Sequence, residues 1–138
     1  GKHLRVVNAL NHVLQASGLC QLGYCSTRYP FTFEFLSAIT GHEYTLEETY
    51  IVGDRISNIR HAFNLREGIN PLKLAVPERA YGHPPLPDGP TANVAVDMDM
   101  MEAEYLEAMS WDAETAIPSR IKLAELGLQD VAEALYSR

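Results

Sequence analysis

A proline-rich segment at residues 69–96 limits what this chain can fold into more than any other feature. It contains six of the eight prolines, at positions 71, 77, 84, 85, 87 and 90. Proline lacks a backbone N–H and clashes with the preceding helical turn, so the run HPPLPDGP can form neither a regular helix nor a central strand. We therefore expect an extended connection that wraps over a surface.

The residues before this segment have the spacing of helices. Within residues 4–16 the apolar side chains recur on one helical face, and these are Val6, Val7, Leu10, Val13 and Leu14. Gly18 is a C-terminal stop for this helix, because glycine tolerates the left-handed conformation. Residues 19–30 have no period and are predicted to form a loop, and residues 32–39 a short helix.

The sequence TLEE at positions 45–48 predicts the start of a longer helix. Thr45 is its N-cap and Glu48 the partner in a capping box, and the helix is expected to end near Arg66, before Gly68. Its predicted inward stripe is Val52, Ile56, Ile59 and Phe63. Its predicted solvated face is Asp54, Arg55, Arg60, His61, Arg66 and Glu67. Gly53 allows another backbone to approach closely.

The helical period returns after the proline-rich segment. The residues expected on one face of the next helix are Met98, Met101, Tyr105 and Met109. Ser119 is a predicted N-cap, Gly127 a predicted break, and residues 128–136 a last short helix. The sequence has no convincing strand pattern and no internal repeat. The predicted fold class is all-α: an irregular helical domain with a long proline-rich connection, which takes in residues 1–138 as a single domain.

Composition excludes several classes of function. The net charge of -7 argues against nucleic acid or an anionic membrane as the main partner. No apolar run approaches the roughly 20 residues that span a bilayer. Two cysteines are too few for a disulfide scaffold, so we expect a reducing, cytoplasmic location. The first residue is glycine and a helical pattern follows at once, which predicts the C-terminal part of a longer polypeptide.

The chain has two thiols, Cys20 and Cys25, which lie five residues apart. An iron–sulfur cluster generally needs four protein ligands, and so does a structural zinc site. The histidines are scattered, at positions 3, 12, 42, 61 and 83. The sequence therefore cannot hold a cluster by itself, but Cys20 could complete one whose other ligands lie elsewhere. Spacing alone leaves open a free, partly buried thiol and a small zinc site of both cysteines with histidines.

Three ordered blocks of sequence carry a resemblance to a known family. They are FNLREG at positions 63–68, VPERAYGHPPLPDGP at 76–90, and VDMDMMEAEYLEAMSWDAETAIPSRIKLAELGL at 96–128. They resemble a recurring helix end, a proline-rich segment and the closing helices, with their Trp-Asp pair and IP turn, of the aldehyde ferredoxin oxidoreductase family. These are tungsten- or molybdenum-pterin enzymes. The resemblance covers nearly the whole chain and implies the family's C-terminal helical domain.

The resemblance also implies a role for the first cysteine. The family motif D-x-x-G-x-C corresponds here to the six residues QASGLC at positions 15–20. By this resemblance Cys20 is the last ligand of a 4Fe–4S cluster, whose other ligands lie in a preceding domain in roughly a C-x-x-C-x-x-x-C arrangement. The residues implied to line the pterin are Gln15, Gly18, Leu19 and Gln21. Cys25 has no family role and is predicted to be a free thiol.

Gln15 is a departure from the motif. A carboxylate at this position accepts hydrogen bonds from the pterin ring, whereas glutamine offers one acceptor and an NH₂ donor. A neutral partner also makes a weaker hydrogen bond than a charged one. The resemblance therefore implies a cluster ligand of the usual kind and an altered pterin contact.

The implied activity is oxidation of an aldehyde to a carboxylic acid, with electrons passing through the cluster to ferredoxin. This chain is expected to supply one cluster ligand and one wall of the pterin site, and no catalytic residue is assigned to it. Upstream domains and ferredoxin are the implied partners, and a homodimer is compatible with the resemblance. Separated from those domains, the chain is expected to be inactive and to bind no cofactor. The alternative is a cofactor-free helical module for protein interaction, derived from the same fold.

Overall fold

The computed structural model describes residues 1–25 and 32–137, and its regular elements are helices. In chain order these are α1 (Lys2–Ala16), α2 (Gln21–Cys25), α3 (Thr32–Thr40), α4 (Leu46–Arg66), α5 (Met98–Met109), α6 (Arg120–Glu125) and α7 (Gln129–Tyr136). The described residues form β-structure only as two isolated bridges. The prediction of an all-α fold is confirmed. None of the described helices is long and apolar enough to cross a bilayer.

Side-chain caps begin the helices where the sequence predicts them. The N–H of Glu48 donates to Thr45 Oγ1 at 3.1 Å, and the N–H of Thr45 donates to Glu48 Oε2 at 2.9 Å, which completes the capping box of α4. The Ser119 hydroxyl accepts a main-chain N–H at the start of α6, and Asp97 does the same for α5. These bonds satisfy donors that a first helical turn leaves unpaired.

The loop predicted at residues 19–30 is correct for residues 19–20 and wrong for residues 21–25. Residues 21–25 form α2, and its first turn is closed by the N–H of Tyr24, which donates to the Cys20 carbonyl oxygen at 2.9 Å. Residues 26–31 lie outside the described part of the chain. The helix predicted after them is present as α3, which ends before Gly41 in the left-handed conformation at φ 73°.

Gly53 lies where α4 crosses α1. A Cβ atom built on Gly53 would stand 2.2 Å from the carbonyl oxygen of Ala9, so no residue other than glycine fits between the two backbones. The predicted close approach of another backbone is confirmed. α1 also packs against α5, and α7 packs against both α4 and α6.

The buried face of α4 is largely polar, and the predicted apolar stripe is wrong for two of its four residues. Ile59 and Phe63 are 44% and 54% exposed, whereas Val52 and Ile56 are half-buried. The buried face instead carries Thr49, Gly53, Asp54, Ser57, Asn58, His61 and Ala62. These residues recur one turn above and below Gly53, on the same face of α4. The crossing with α1 therefore decides which face of α4 is buried.

Asp54 is buried, although the sequence predicts it on a solvated face. Its carboxylate forms ion pairs with two cationic side chains. Arg5 Nη2 of α1 lies 2.5 Å from Oδ2, and Lys122 Nζ of α6 lies 3.4 Å from the same oxygen. The hydrogen bond to Asp54 raises the pKa of Arg5. A buried carboxylate needs such partners because burial alone disfavours its charge.

His61 is also buried together with specific partners, although the sequence predicts it on the solvated face. Its ring stacks on the indole of Trp111 with centroids 3.6 Å apart, and its Nε2 lies 2.7 Å from the carbonyl oxygen of Ala116. A carbonyl only accepts, so Nε2 carries the proton. Asn58, the neighbour of His61 one turn back, accepts the Trp111 Nε1–H at 2.9 Å. Burial lowers the pKa of His61, and the bond to Ala116 opposes this in part.

The remaining elements carry a small apolar core and the proline-rich connection. Leu123, Leu126, Leu128 and Ala132 pack α6 and α7 together. Of the stripe predicted on α1, Val13 and Leu14 are buried, whereas Val6 and Val7 are exposed. Residues 69–96 contain no regular α-helix or strand, as expected, and make two 3₁₀ turns at Pro71–Lys73 and Glu78–Tyr81.

Gly53→Ala is expected to destabilise the crossing of α1 and α4 by about 3 kcal/mol, because the new methyl group meets backbone that cannot move aside. Amide hydrogen exchange of the purified gene product should show faster exchange in both helices. Gly23→Ala is the matched control, since a Cβ there meets only the Cys20 Cβ atom at an ordinary 3.8 Å. Unchanged protection in Gly53→Ala would contradict the described crossing.

The stability of α4 is expected to fall as the pH drops below about 6.5. The pKa of His61 is lowered in the folded chain, so the unfolded state binds the proton first and is favoured at low pH. Hydrogen-exchange free energies measured at about pH 7.5 and 5.5 test this. His61→Gln should reduce the dependence, whereas His83→Gln in the proline-rich segment should not. Equal slopes in the two variants would show that His61 does not contribute.

Candidate functional site

The predicted site residues lie in sequence at the end of α1 and the start of α2. Gln15 is in the last turn of α1, and the Ser17 hydroxyl donates to the Leu14 carbonyl oxygen at 2.7 Å where that helix ends. Gly18 then adopts a left-handed conformation at φ 76°, directly after Ser17, the C-cap of α1. Its N–H donates to the Gln15 carbonyl oxygen at 3.2 Å. Glycine is required here by its backbone conformation.

Cys20 is an exposed thiol that forms no disulfide, so the alternative of a partly buried thiol, which spacing alone left open, does not hold for this residue. The space beside Gly18 is open as well, since a Cβ built there would meet no atom within 4 Å. Leu19 and Gln21 on either side of Cys20 are exposed, and Leu22 is 79% exposed. The thiol therefore stands on an accessible, partly apolar surface.

The described residues bring together no group of three or more His, Cys, Asp or Glu side chains that could hold a metal ion. The side chain of Cys25 lies outside the described part of the chain, and so does the prediction made for it. Within residues 1–25 and 32–137, Cys20 can thus serve as a single ligand and not as part of a complete four-ligand set. That donor fits a cluster whose other ligands come from elsewhere.

Gln15 is joined to a second helix by Arg60 of α4. Arg60 Nη1 donates to Gln15 Oε1 at 3.3 Å, and the same nitrogen lies 2.9 Å from Nδ1 of His12. Arginine has donors and no acceptor, so both facing atoms must accept. The amide oxygen of Gln15 therefore points to Arg60, and His12 is a neutral imidazole with its proton on Nε2.

The electrostatics of His12 agree with this arrangement. Partial burial lowers the pKa of His12, and the neighbouring positive charge of Arg60 lowers it further. Both effects favour the neutral ring that accepts from the guanidinium. Arg60, His12 and Gln15, which we call the Arg60 trio, therefore hold one positive charge at the predicted site.

Sequence reasoning did not find Arg60 and His12 as site residues. The sequence places Arg60 among the charges of a solvated helix face, and the structure confirms that it is exposed; His12 is one of five scattered histidines. The available signal was the spacing of His12 and Gln15, which places them on one face of α1. Which residue of α4 meets that face depends on the angle and register of the crossing.

Comparison with known proteins assigns the chain to a family. Residues 1–128 match the family model described as aldehyde ferredoxin oxidoreductase, domains 2 & 3. The chain therefore belongs to the aldehyde ferredoxin oxidoreductase family, as the sequence blocks predict.

Individual relatives agree with this assignment. The tungsten-containing aldehyde ferredoxin oxidoreductase of Pyrococcus horikoshii is 30% identical over 121 residues, which is 88% of this chain and 20% of the relative. The enzyme of the same name from Thermococcus kodakarensis is 28% identical over 129 residues, 94% of this chain and 21% of the relative. The chain thus spans about a fifth of the length of the curated relatives it matches.

Arg60→Gln is expected to raise the pKa of His12, because it removes the positive charge that opposes protonation. Burial remains, so the value should stay below that of a free histidine. Nuclear magnetic resonance of ¹³C-labelled histidine in the purified gene product can follow the titration. Arg66→Gln makes the same charge change on the same helix and should leave His12 unaffected. A His12 pKa that is the same in both variants would contradict the contact.

Proposed function

We propose that this chain is part of a tungsten-pterin enzyme that oxidises an aldehyde to a carboxylic acid. In this proposal Cys20 is one thiolate ligand of a 4Fe–4S cluster. Gln15, Gly18, Leu19 and Gln21 line the pterin. The observation that carries the proposal is the exposed Cys20 thiol two residues after left-handed Gly18, in a chain whose residues 1–128 match the family.

The residues present fit these two groups. A cluster ligand must be an accessible sulfur, and the Cys20 side chain is exposed. A planar heterocycle needs backbone that it can approach closely, and Gly18 has no side chain and open space around its Cα. Exposed Leu19 offers apolar surface for a ring face. When bound, a metal–pterin would supply two-electron chemistry toward the substrate, and a cluster held in part by Cys20 would supply one-electron transfer.

The proposal requires further polypeptide. Cys20 is one of four ligands, and the described side chains form no complete set, so in this proposal the other three come from upstream polypeptide or from a partner. The relatives are about five times as long as this chain, which supports upstream domains in the same polypeptide as that source. We propose residues 1–138 as a single helical domain of that longer protein, with ferredoxin as the electron acceptor. Tungsten is preferred to molybdenum because the relatives' names include it.

Elemental analysis of the native gene product, purified without oxygen, tests the proposal directly. Iron together with tungsten is the expected result. Molybdenum in place of tungsten would change the metal and retain the function. Absence of all three metals would overturn the proposal and leave the cofactor-free interaction module, for which a protein partner must then be sought.

Cys20→Ser is expected to lower the iron content and weaken the electron paramagnetic resonance signal of the reduced cluster, because a hydroxyl is a poor substitute for a thiolate ligand. Cys25→Ser changes the other thiol in the same way and should leave both measurements unchanged. The Cys20 side chain is exposed, so the helices should retain their hydrogen-exchange protection. Full iron and an unaltered signal in Cys20→Ser would rule this residue out as the ligand.

A further inference from the structure

A groove between α4 and α7, which we call the α4–α7 groove, exposes apolar side chains. Its volume is about 260 Å³, and its apolar lining is Ile59, Ala62, Phe63, Val131, Ala134 and Leu135. Ile59 and Phe63 belong to the stripe that the sequence predicts to face inward, yet they are 44% and 54% exposed. Apolar side chains exposed together around a cavity mark a contact with other polypeptide. The groove is therefore a candidate docking surface.

The groove is a defined feature of the fold and is not contained in the family match. Residues 1–128 match the family model, whereas α7, which forms one wall, begins at Gln129. α7 is held in place at both ends: Ala132 packs in the core with α6, and the Tyr136 hydroxyl donates to the Pro118 carbonyl oxygen at 3.0 Å. The two walls thus have fixed positions relative to each other.

The lining has the composition of a protein–protein contact. Besides its apolar residues it contains one charged side chain from each helix, Arg66 of α4 and Asp130 of α7. The guanidinium of Arg66 lies over the ring of Phe63, with its central carbon 4.9 Å from the ring centroid. Mainly apolar surface with a few charged groups is typical of surfaces that bind polypeptide.

The chain exposes more surface than a compact domain of its mass. Its accessible surface is 9509 Å², whereas a compact monomer of 15.4 kDa exposes about 7,200 Å². The excess is more than twice the roughly 800 Å² that one partner contributes to a standard interface. An excess of this size favours cover by a further domain over cover by a short peptide.

Two considerations favour upstream polypeptide of the same chain over a second copy as the occupant of the groove. The relatives are about five times as long as this chain, and a tethered segment competes at an effective concentration of about millimolar. A second copy binds only at its free concentration. Two copies of this chain would also bring together equal net charges of -7, which repel each other.

We infer that the α4–α7 groove is the docking site of an apolar segment of the upstream polypeptide, which packs against Ile59 and Phe63 on α4 and Leu135 on α7. This inference rests on the longer polypeptide of the proposed function and adds to it the surface at which that polypeptide is held. It does not depend on the metals. The apolar stripe of α4 then faces a protein interior along its whole length, as its spacing predicts.

Phe63→p-benzoylphenylalanine tests the inference in the full-length gene product, because it retains an aromatic ring and adds a photo-crosslinking group in the groove. After irradiation we expect a product with the mass of one chain, in which mass spectrometry joins position 63 to upstream polypeptide. Ala113→p-benzoylphenylalanine is the matched control, in an exposed turn beside Asp112 and Glu114. Its cross-link yield should be much lower.

Several outcomes would overturn the inference. A product of twice the chain mass would assign the groove to a second copy, and a cross-link to a different protein would assign it to that partner. Equal yields at positions 63 and 113, or none at either, would show an open groove. Iron and tungsten in the same sample would then still uphold the proposed function. An intramolecular cross-link in a protein without these metals would do the reverse.

Ala134→Trp, introduced together with the probe at position 63, tests whether the occupant enters the groove. The indole fills space between the two walls, so the cross-link to upstream polypeptide should lose most of its yield. Glu133→Trp places the same side chain on the preceding residue of α7, outside the lining, and should retain the yield. Equal yields in the two variants would overturn the inference. Hydrogen-exchange protection of α4 and α7 verifies that both helices remain folded.

Discussion

The contact between Gly53 and the backbone of Ala9 is the constraint on which the rest of the described structure depends. It brings α1 and α4 closer than side chains would allow. This close crossing sets the rotation of α4 about its own axis, and with it the choice of buried face. It also sets the register that places Arg60 beside Gln15 and His12. The packing of one glycine is thereby linked to the geometry of a site more than one helical turn away.

A largely polar buried face follows from that choice, and each of its larger polar groups has a specific partner. Asp54 takes two cations, Asn58 accepts from Trp111, and His61 bonds to the Ala116 carbonyl oxygen. Such contacts have strict requirements of distance and direction, unlike apolar packing. They fix α1, α6 and the turn after α5 in one arrangement around α4. The exposed Ile59 and Phe63 are on the side of α4 that these contacts leave outward.

Much of the fold could be predicted from local sequence, because caps and stops act within a few residues. Thr45 with Glu48 and Ser119 begin helices as expected, and Gly53 allows the close approach of α1 that the sequence predicts. The inward stripe of α4 could not be predicted, since hydrophobic spacing does not reveal a face buried through hydrogen bonds. The candidate site could likewise be predicted only in part. Cys20 can be predicted from a motif within one stretch of sequence, whereas the position of Arg60 depends on how two helices distant in sequence meet. The roles of the candidate site in binding metal and pterin remain predictions.

The double ion pair of Asp54 has a consequence for the order in which the chain can fold. Arg5 and Asp54 are both synthesised before the proline-rich segment, whereas Lys122 of α6 is synthesised after it. Until then the carboxylate lacks one of its two cations, and α1 and α4 can pair only with that group incompletely neutralised. Contacts between residues so far apart in sequence form slowly, because a long loop must first close. The proline-rich segment is therefore also the tether whose closure completes the charge balance of the helical core.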